Sequence, residues 1–327
     1  MILETLVPNK KEVEYSPDLK FINEYEEWHV PNRLYVHWDI TTECNFDCSY
    51  CYAKRDYQSD WHKTDTWSRQ LAIVEALKLR KYPIFLGMLG GEPTMHPRFF
   101  ELVDIIHSKL IHDKLDRLYI TTNGSTNVIK KIKEYSQTYF LWSLHFEHAE
   151  KYGSKYKKFI DNIKISIDKG FTNRVNIMLL PDEKYYSDYY YVFNELKKLD
   201  VQLHPHFLYD YENENRKLYN YTDDFFKEFS FLENTYKNYI FETSDSYVRL
   251  NDFEIFKHKL NHFKDWKCYN NNYEISYDGK CEKICTTEKV DLTRNILFFK
   301  NLKIQDMKCP WNECDCDGFL KIYKSTL

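Results

Sequence analysis

Three cysteines fall within eight residues in the stretch ECNFDCSYC (Glu43–Cys51), spaced C-x3-C-x2-C as Cys44, Cys48 and Cys51. Thiolates are soft ligands that suit zinc, copper(I) and iron–sulfur clusters. A cubane iron–sulfur cluster usually takes four cysteines, one per iron, so three leave one iron able to bind a substrate or cofactor. The alternative is a closed tetrahedral zinc site with a fourth ligand from elsewhere, such as His62. Six further cysteines lie after residue 267: Cys268, Cys281, Cys285, Cys309, Cys314 and Cys316. Nine cysteines in two tight groups, an odd count in a chain without a secretion signal, argue for metal rather than a disulfide framework.

Glycine is scarce, eight in 327 residues, so its positions are informative. Gly87, Gly90 and Gly91 sit together, Gly124 follows Asn123, and Gly279 lies inside the second cysteine group. Glycine admits unusual backbone angles and close approach of a neighbour. The stretch MLGGEPTMHP (Met88–Pro97) joins Gly90 and Gly91 to a carboxylate, Glu92, and to a stiffening Pro93.

These residues need elements to hold them. From residue 34 onward, apolar runs alternate with amphipathic ones. The periodicity predicts strands over 33–40, 84–89, 117–123, 139–146, 174–180 and 201–208. It predicts helices over 66–81, 98–113, 125–138 (capped by Ser125), 158–170 and 187–199. Alternating β and α of this length implies a parallel sheet with right-handed crossovers. Six units are too few for an eightfold barrel, so the expected α/β fold is a partial, partly open (β/α)6 parallel barrel. Ligands in such folds sit at the carboxyl ends of the strands, where both short motifs fall. The expected organisation is an N-terminal extension (1–32), a barrel core (33–211), an aromatic, mostly helical connecting segment (212–265) and a small cysteine-rich C-terminal module (266–327).

Hydrophobic residues make up 43%, charged residues 29%, and the net charge is −4. No basic arm argues for nucleic acid. No apolar run of about 18 residues argues for a membrane span, and the N-terminus does not read as a signal peptide. A cytoplasmic location is the expectation.

The C-x3-C-x2-C loop after the first strand, with aromatic Tyr50 just before its last cysteine, resembles the radical S-adenosylmethionine (radical SAM) enzymes. GGEP after the second strand, TTNGS (121–125) ending the third and Ser143-Leu144-His145 on the fourth extend the resemblance over roughly residues 33–210. It implies a 4Fe–4S cluster on Cys44, Cys48 and Cys51 whose open iron binds the amino and carboxylate groups of S-adenosylmethionine. Reductive cleavage then yields a 5′-deoxyadenosyl radical that takes a hydrogen atom from the substrate. The resemblance implies cofactor contacts at Tyr50, Gly90, Gly91, Glu92, Pro93, Asn123, Ser143 and Asn176, and an electron donor such as flavodoxin or ferredoxin. No catalytic acid or base is evident. His204 and His206 flank Pro205 on the sixth strand, where substrate-facing and packing roles are both open.

The tail places a turn at Asp278–Gly279 in DGKCEKIC and continues to CPWNECDC. It resembles the C-terminal SPASM and twitch auxiliary modules of the same superfamily. The match is partial: the two-cluster pattern needs about seven cysteines where six occur, and the spacing of Cys281 and Cys285 from Gly279 departs from it. The resemblance implies at least one auxiliary iron–sulfur cluster of the 4Fe–4S type, with Cys268, Cys285, Cys309 and Cys314 the expected ligands and Cys281 and Cys316 in reserve. A zinc staple stays open.

Auxiliary clusters lean the expectation toward oxidative modification or cross-linking of a peptide or protein side chain, as in maturation of ribosomally made peptides. Only about 32 residues precede the first strand, too few for the usual leader-peptide recognition domain. Dehydrogenation or epimerisation of a small molecule such as a sugar or aminocyclitol is the alternative. A non-catalytic, metal-stapled binding protein is a third reading.

Overall fold

The computed structural model describes residues 20–23, 33–51, 66–210, 217–235, 237, 239–242, 247–310, 314 and 324–326. His62 and Cys316, both raised above as metal ligands, lie outside these residues.

A short strand, β1 (Lys20–Asn23), precedes the six barrel strands: β2 (Leu34–Thr41), β3 (Ile84–Gly90), β4 (Arg117–Thr122), β5 (Thr138–Leu144), β6 (Thr172–Leu179) and β7 (Gln202–Phe207). These six pair in sequence order, every pair parallel. Helices α1 (Thr66–Lys78), α2 (Phe99–Leu110), α3 (Lys157–Asp168) and α4 (Tyr186–Leu196) cover the outer face. The strand sequences dictate which face is which. On β2, Val36 and Trp38 are fully buried while Tyr35, His37 and Asp39 are half-buried. On β5, Trp142 meets Phe159 of α3 edge-on at 6.1 Å, so its neighbour Ser143 faces the barrel interior. Gly87 on β3 makes room for Tyr119 on β4: a Cβ there would lie 2.1 Å from the tyrosine ring.

One predicted helix is absent. Between β4 and β5 there is only a turn of 3-10 helix at Val128–Lys130. Ser125 does not cap a helix; its hydroxyl donates to Asn123 Oδ1 at 2.6 Å. The Asn162 amide on α3 donates to the carbonyls of Gly124 (2.9 Å) and Thr126 (2.8 Å). Those carbonyls are thereby diverted from an α-helical ladder, and tertiary contact overrides local propensity.

The connecting segment also differs from its helical expectation. It holds α5 (Asp223–Glu228), then a hairpin of β8 (Tyr239–Glu242) and β9 (Tyr247–Leu250), then α6 (Asp252–Lys257). The aromatic residues that suggested amphipathic helices instead alternate along the hairpin, as at Tyr239 and Phe241, both buried.

Beyond α6 come β10 (Lys267–Cys268), β11 (Asn272–Ile275), β12 (Lys280–Lys283), β13 (Lys289–Asp291), a one-turn α7 (Phe298–Asn301), β14 (Met307–Lys308) and β15 (Lys324–Ser325). The Asp278–Gly279 turn joins β11 to β12, with Gly279 at φ +89. β11 pairs in parallel with β2 and so extends the barrel sheet to nine strands. At the far edge, α6 packs on β7. The connecting segment and the C-terminal module thus cover the two edges of the open barrel, which would otherwise present unpaired strands. A second sheet orders β9–β8–β1–β15–β10–β14. No helix is long and apolar enough to cross a membrane among the described residues.

Candidate functional site

The cysteine loop leaves β2 at Thr41 and is held from two sides. The first is the GGEP turn. Gly91 N donates to Thr41 O at 2.9 Å, and Glu92 N to Glu43 O at 2.7 Å. A Cβ on Gly90 would lie 2.1 Å from Thr41 O, and one on Gly91 2.1 Å from Glu43 O. Gly90 also sits at φ +126, a region that suits glycine. The sequence implied close approach to a ligand at these glycines; the close approach seen is to the backbone that leads into Cys44.

Glu92 is 1% exposed. Its carboxylate accepts from Thr122 Oγ1 (2.8 Å), Asn123 N (2.7 Å), Thr94 N (3.1 Å) and the Thr94 hydroxyl. Burial pushes its pKa up while these donors pull it down. The network returns to the loop: Asn123 Nδ2 donates to Asn45 Oδ1 at 2.9 Å, and Asn45 Nδ2 to Ser125 Oγ at 2.7 Å. Hydrogen bonds therefore run from Glu43 through Glu92 and Asn123 to Asn45, so the residues on both sides of Cys44 are tied to one network. Pro93 starts a 3-10 turn behind it.

The second support follows β5. Asp47 N donates to His148 Nε2 (3.2 Å) and Ser49 N to Glu147 Oε2 (2.8 Å). His145 Nδ1 lies 2.9 Å from Tyr50 Oη and 3.4 Å from Cys48 Sγ. Phe46 stacks on His148 at 4.6 Å. Asn45, Glu147 and His148 go beyond the site residues marked in the sequence, where His145 enters only as the end of Ser143-Leu144-His145. The signal was available in HFEH, three polar or titratable side chains directly after a strand's carboxyl end. Ligand atoms of Cys48, Glu147 and His148 lie within 4.8 Å of one another, but the latter two already hold loop amides.

Neighbouring thiols raise the pKa values of two of them: Cys51 acts on Cys44, and Cys51 and Cys44 act on Cys48, as neighbouring like charges do. Burial is the larger cause, pushing Cys44 up to about 11 and Cys48 higher still. A bound soft cation would reverse this and deprotonate them. The donor set, three adjacent thiols at the carboxyl edge of a parallel barrel, fits a metal–thiolate cluster.

Ser143, Asn176 and His204 stand in register on adjacent strands β5, β6 and β7, on the interior face. Asn176 is 5% exposed, yet its Oδ1 has no hydrogen-bond partner among the described residues. A buried carboxamide oxygen in that state suits a ligand contact. His204 is different: its Nε2 pairs with Asp252 of α6, which also accepts from Tyr239 Oη at 2.9 Å.

In the tail, Cys268, Cys309 and Cys314 are buried in one apolar cluster with Tyr239, Phe241, Phe263 and Trp266. Burial raises Cys314 to about 12, and the charges of Cys309, Cys268 and Cys285 add to it. Cys285, at φ +60 beyond the hairpin, lies near enough to act on Cys314, whereas Cys281 does not join them. That thiol packs in the barrel-side core, 1% exposed, and the charges acting on it come from Glu282 and Glu288.

The site is thus a thiol-rich loop at the carboxyl edge of a partial parallel barrel. Residues 38–187 match the Radical SAM superfamily. Over 97 residues it is 31% identical to the S-adenosylmethionine-dependent nucleotide dehydratase of Selenomonas ruminantium, covering 30% of this chain and 32% of that one. Over 92 residues it is 34% identical to the GTP 3',8-cyclase of Chlorobaculum tepidum, covering 28% and 26%. The match therefore spans about a third or less of these relatives.

Two solved structures share the fold at low identity. Streptococcus suis SuiB bound to S-adenosylmethionine aligns with a TM-score of 0.52 at 14% identity, over 80% of this chain and 64% of that one. Native anSMEcpe with bound AdoMet aligns at 0.54 and 13%, over 81% and 80%.

Proposed function

We propose that this chain is a radical SAM enzyme that oxidatively modifies or cross-links a peptide or protein side chain. One observation carries the radical SAM part: three thiols on a barrel-edge loop that a hydrogen-bond network pins in place on both sides of Cys44. Cys44, Cys48 and Cys51 would hold a 4Fe–4S cluster with one iron left for S-adenosylmethionine. When bound, these groups supply one-electron reductive radical chemistry at the mouth of the barrel. Tyr50, Ser143 and Asn176, with the backbone of Gly90–Pro93, would orient the cofactor, and the barrel walls exclude water from the reacting atoms. Glu92 and Asn123 serve mainly by fixing the loop, since their polar atoms are engaged with each other and with Asn45.

Cys268, Cys285, Cys309 and Cys314 would hold one auxiliary 4Fe–4S cluster in a twitch-like tail, and an auxiliary cluster suits net oxidation. The peptide reading draws support from the likeness over most of the chain to anSMEcpe, one structure of which has AdoMet and a Cp18Cys peptide bound. A second reading, a small-molecule substrate, is favoured by the sequence relatives named for nucleotide and GTP chemistry. A flavodoxin or ferredoxin would donate the electron, in the cytoplasm.

Anaerobic purification and reconstitution test this. The expected result is a brown protein with about eight irons per chain, from two cubanes, that cleaves S-adenosylmethionine under reduction. Cys44→Ala abolishes cleavage. A colourless protein holding zinc would sink the reading. Offering precursor-type peptides and nucleotides to the reconstituted enzyme separates the two substrate classes.

A further inference from the structure

The chemistry proposed above needs one electron delivered to the thiol loop from outside, and one face of the molecule suits its carrier. Between α3 and the 3-10 turn at Val128–Lys130, a cavity of about 520 Å³ opens on the outside of the barrel. Among the described residues, four lysines line it, Lys130, Lys157, Lys158 and Lys164, against one carboxylate, Asp161. That carboxylate is already matched by Lys157 Nζ at 2.5 Å. Lys130, Lys157 and Lys164 are exposed and Lys158 is half-buried. The N-terminal end of α3, which begins at Lys157, adds its positive dipole to the same rim. The whole chain carries a net charge of −4, so the excess of positive charge here is local.

The inner wall of the cavity leads to the cysteines. Tyr152 lines it and is itself fully buried. The Tyr152 ring meets Phe46 of the cysteine loop edge-on at 5.7 Å. Its hydroxyl accepts from His145 N at 3.3 Å, and His145 Nδ1 lies 3.4 Å from Cys48 Sγ. Two residues, Tyr152 and His145, thus separate the lysine-lined surface from a thiol of the first site. Electron transfer weakens steeply with distance, so a carrier has to dock where little protein intervenes. Electron-transfer encounters bury small interfaces. Opposite charge on the two partners gives them fast, steered association without tight binding.

We propose that this lysine-lined surface is the docking site of an acidic one-electron carrier protein of the flavodoxin type, with Tyr152 and His145 bridging it to Cys48. This rests on the reading of Cys44, Cys48 and Cys51 as an iron–sulfur site. One electron leaves the carrier's anionic flavin hydroquinone, which becomes the neutral semiquinone, and enters the group held by the three cysteines. No proton moves and no bond to the protein forms.

The test uses the full, iron-loaded chain, with an acidic flavodoxin as the probe. Iron content and reduction by dithionite are measured first. A chain without iron overturns the reading of the first site and this inference with it. Two variants then carry the same change in net charge. One combines Lys130→Glu, Lys158→Glu and Lys164→Glu at the cavity. The other combines Lys81→Glu, Lys300→Glu and Lys303→Glu, exposed positions around α7. Calorimetry is expected to show the dissociation constant for flavodoxin rising about tenfold in the cavity variant at low salt, a gap that closes at high salt, where surface charges are screened. The rate of reduction by flavodoxin falls with it, while reduction by dithionite is unchanged. The α7 variant binds as the wild type does. Lys130→Gln, Lys158→Gln and Lys164→Gln together weaken binding less, and this neutral variant decides the matter if the acidic one does not fold. A loaded wild-type chain that does not bind flavodoxin, an unchanged affinity in the cavity variant, or an equal loss in the α7 variant overturns the docking assignment and leaves the reading of the first site standing.

Discussion

The backbone N–H of Asn123 donates to the Glu92 carboxylate at 2.7 Å, and that bond ties the ends of two neighbouring strands beneath the first cysteine of the loop. The same carboxylate takes up three other donors. A carboxylate so occupied has little left for a ligand. Its work is to hold the turn whose next contact is the backbone of Glu43.

Glu92→Gln is therefore expected to act on the scaffold. It places an amide N–H₂ among donors, leaving buried groups unsatisfied at a cost of about 1–3 kcal/mol. A lowered melting temperature and reduced iron retention at the first site are expected together. Asn45→Ala gives the same pattern in weaker form, about 0.5–1.5 kcal/mol. If Glu92→Gln instead keeps its melting temperature and iron but weakens S-adenosylmethionine binding, the carboxylate is a direct cofactor contact.

His204 and Asp252 are both buried and paired across the junction of β7 and α6. Asp252→Asn or Asp252→Ala removes one partner of a buried pair, which costs about 3–5 kcal/mol. Tyr239→Phe removes only the 2.9 Å hydrogen bond to Asp252, at about 1 kcal/mol. Denaturant melts in urea check the ranking. Equal effects would mean that the tyrosine ring, not the pair, holds α6 on the barrel edge.

Acid stability follows from two histidines away from the thiols, His96 buried and His107 half-buried. Burial lowers His96 and His107 to about 4. A histidine whose folded pKa lies below its unfolded value, ordinarily about 6.5, binds its proton more readily when unfolded. Its contribution is complete above the unfolded value and is lost as pH falls toward the folded one. Thermal melts are expected to fall steadily from about pH 6.5 to pH 4. His107→Gln, which can still hydrogen-bond Thr138 in place of the 2.8 Å contact, flattens that slope. A slope unchanged in this variant refutes the contribution of His107.

Much of this was legible in the sequence because the six barrel strands are marked by local apolar runs, and the observed strands begin and end within about two residues of those runs. The thiol loop and the GGEP turn were legible for the same reason: each is a short, contiguous pattern. What escaped was non-local. The Asn162 amide that diverts the carbonyls of Gly124 and Thr126 lies more than 35 residues away, so the segment after Ser125 read as a helix. The grip of Glu147 and His148 on the loop amides spans about 100 residues. The Asp252–His204 pair likewise exists only once α6 folds back on β7. Gly90 and Gly91 were informative as positions, yet only the fold shows that the neighbour they admit is the chain itself.

The tail cysteines give the sharpest contrast between spacing and geometry. Cys281 and Cys285 lie four residues apart, on and just beyond β12. Spacing alone leaves both in play, because each follows Gly279 at a short interval. The strand separates them. Cys281 points into the barrel-side core at 1% exposure, whereas Cys285, past the strand end at φ +60, lies in the field of Cys314. Cys285→Ala is expected to remove about four irons, one cubane, and to leave the first site's reductive cleavage of S-adenosylmethionine measurable. Cys281→Ala is expected to keep the full iron content and to lose about 1 kcal/mol of stability, as for truncation of a small buried hydrophobe. Iron analysis with thermal melts decides between them. Loss of iron in Cys281→Ala, with Cys285→Ala intact, would move the ligand from the turn back onto the strand.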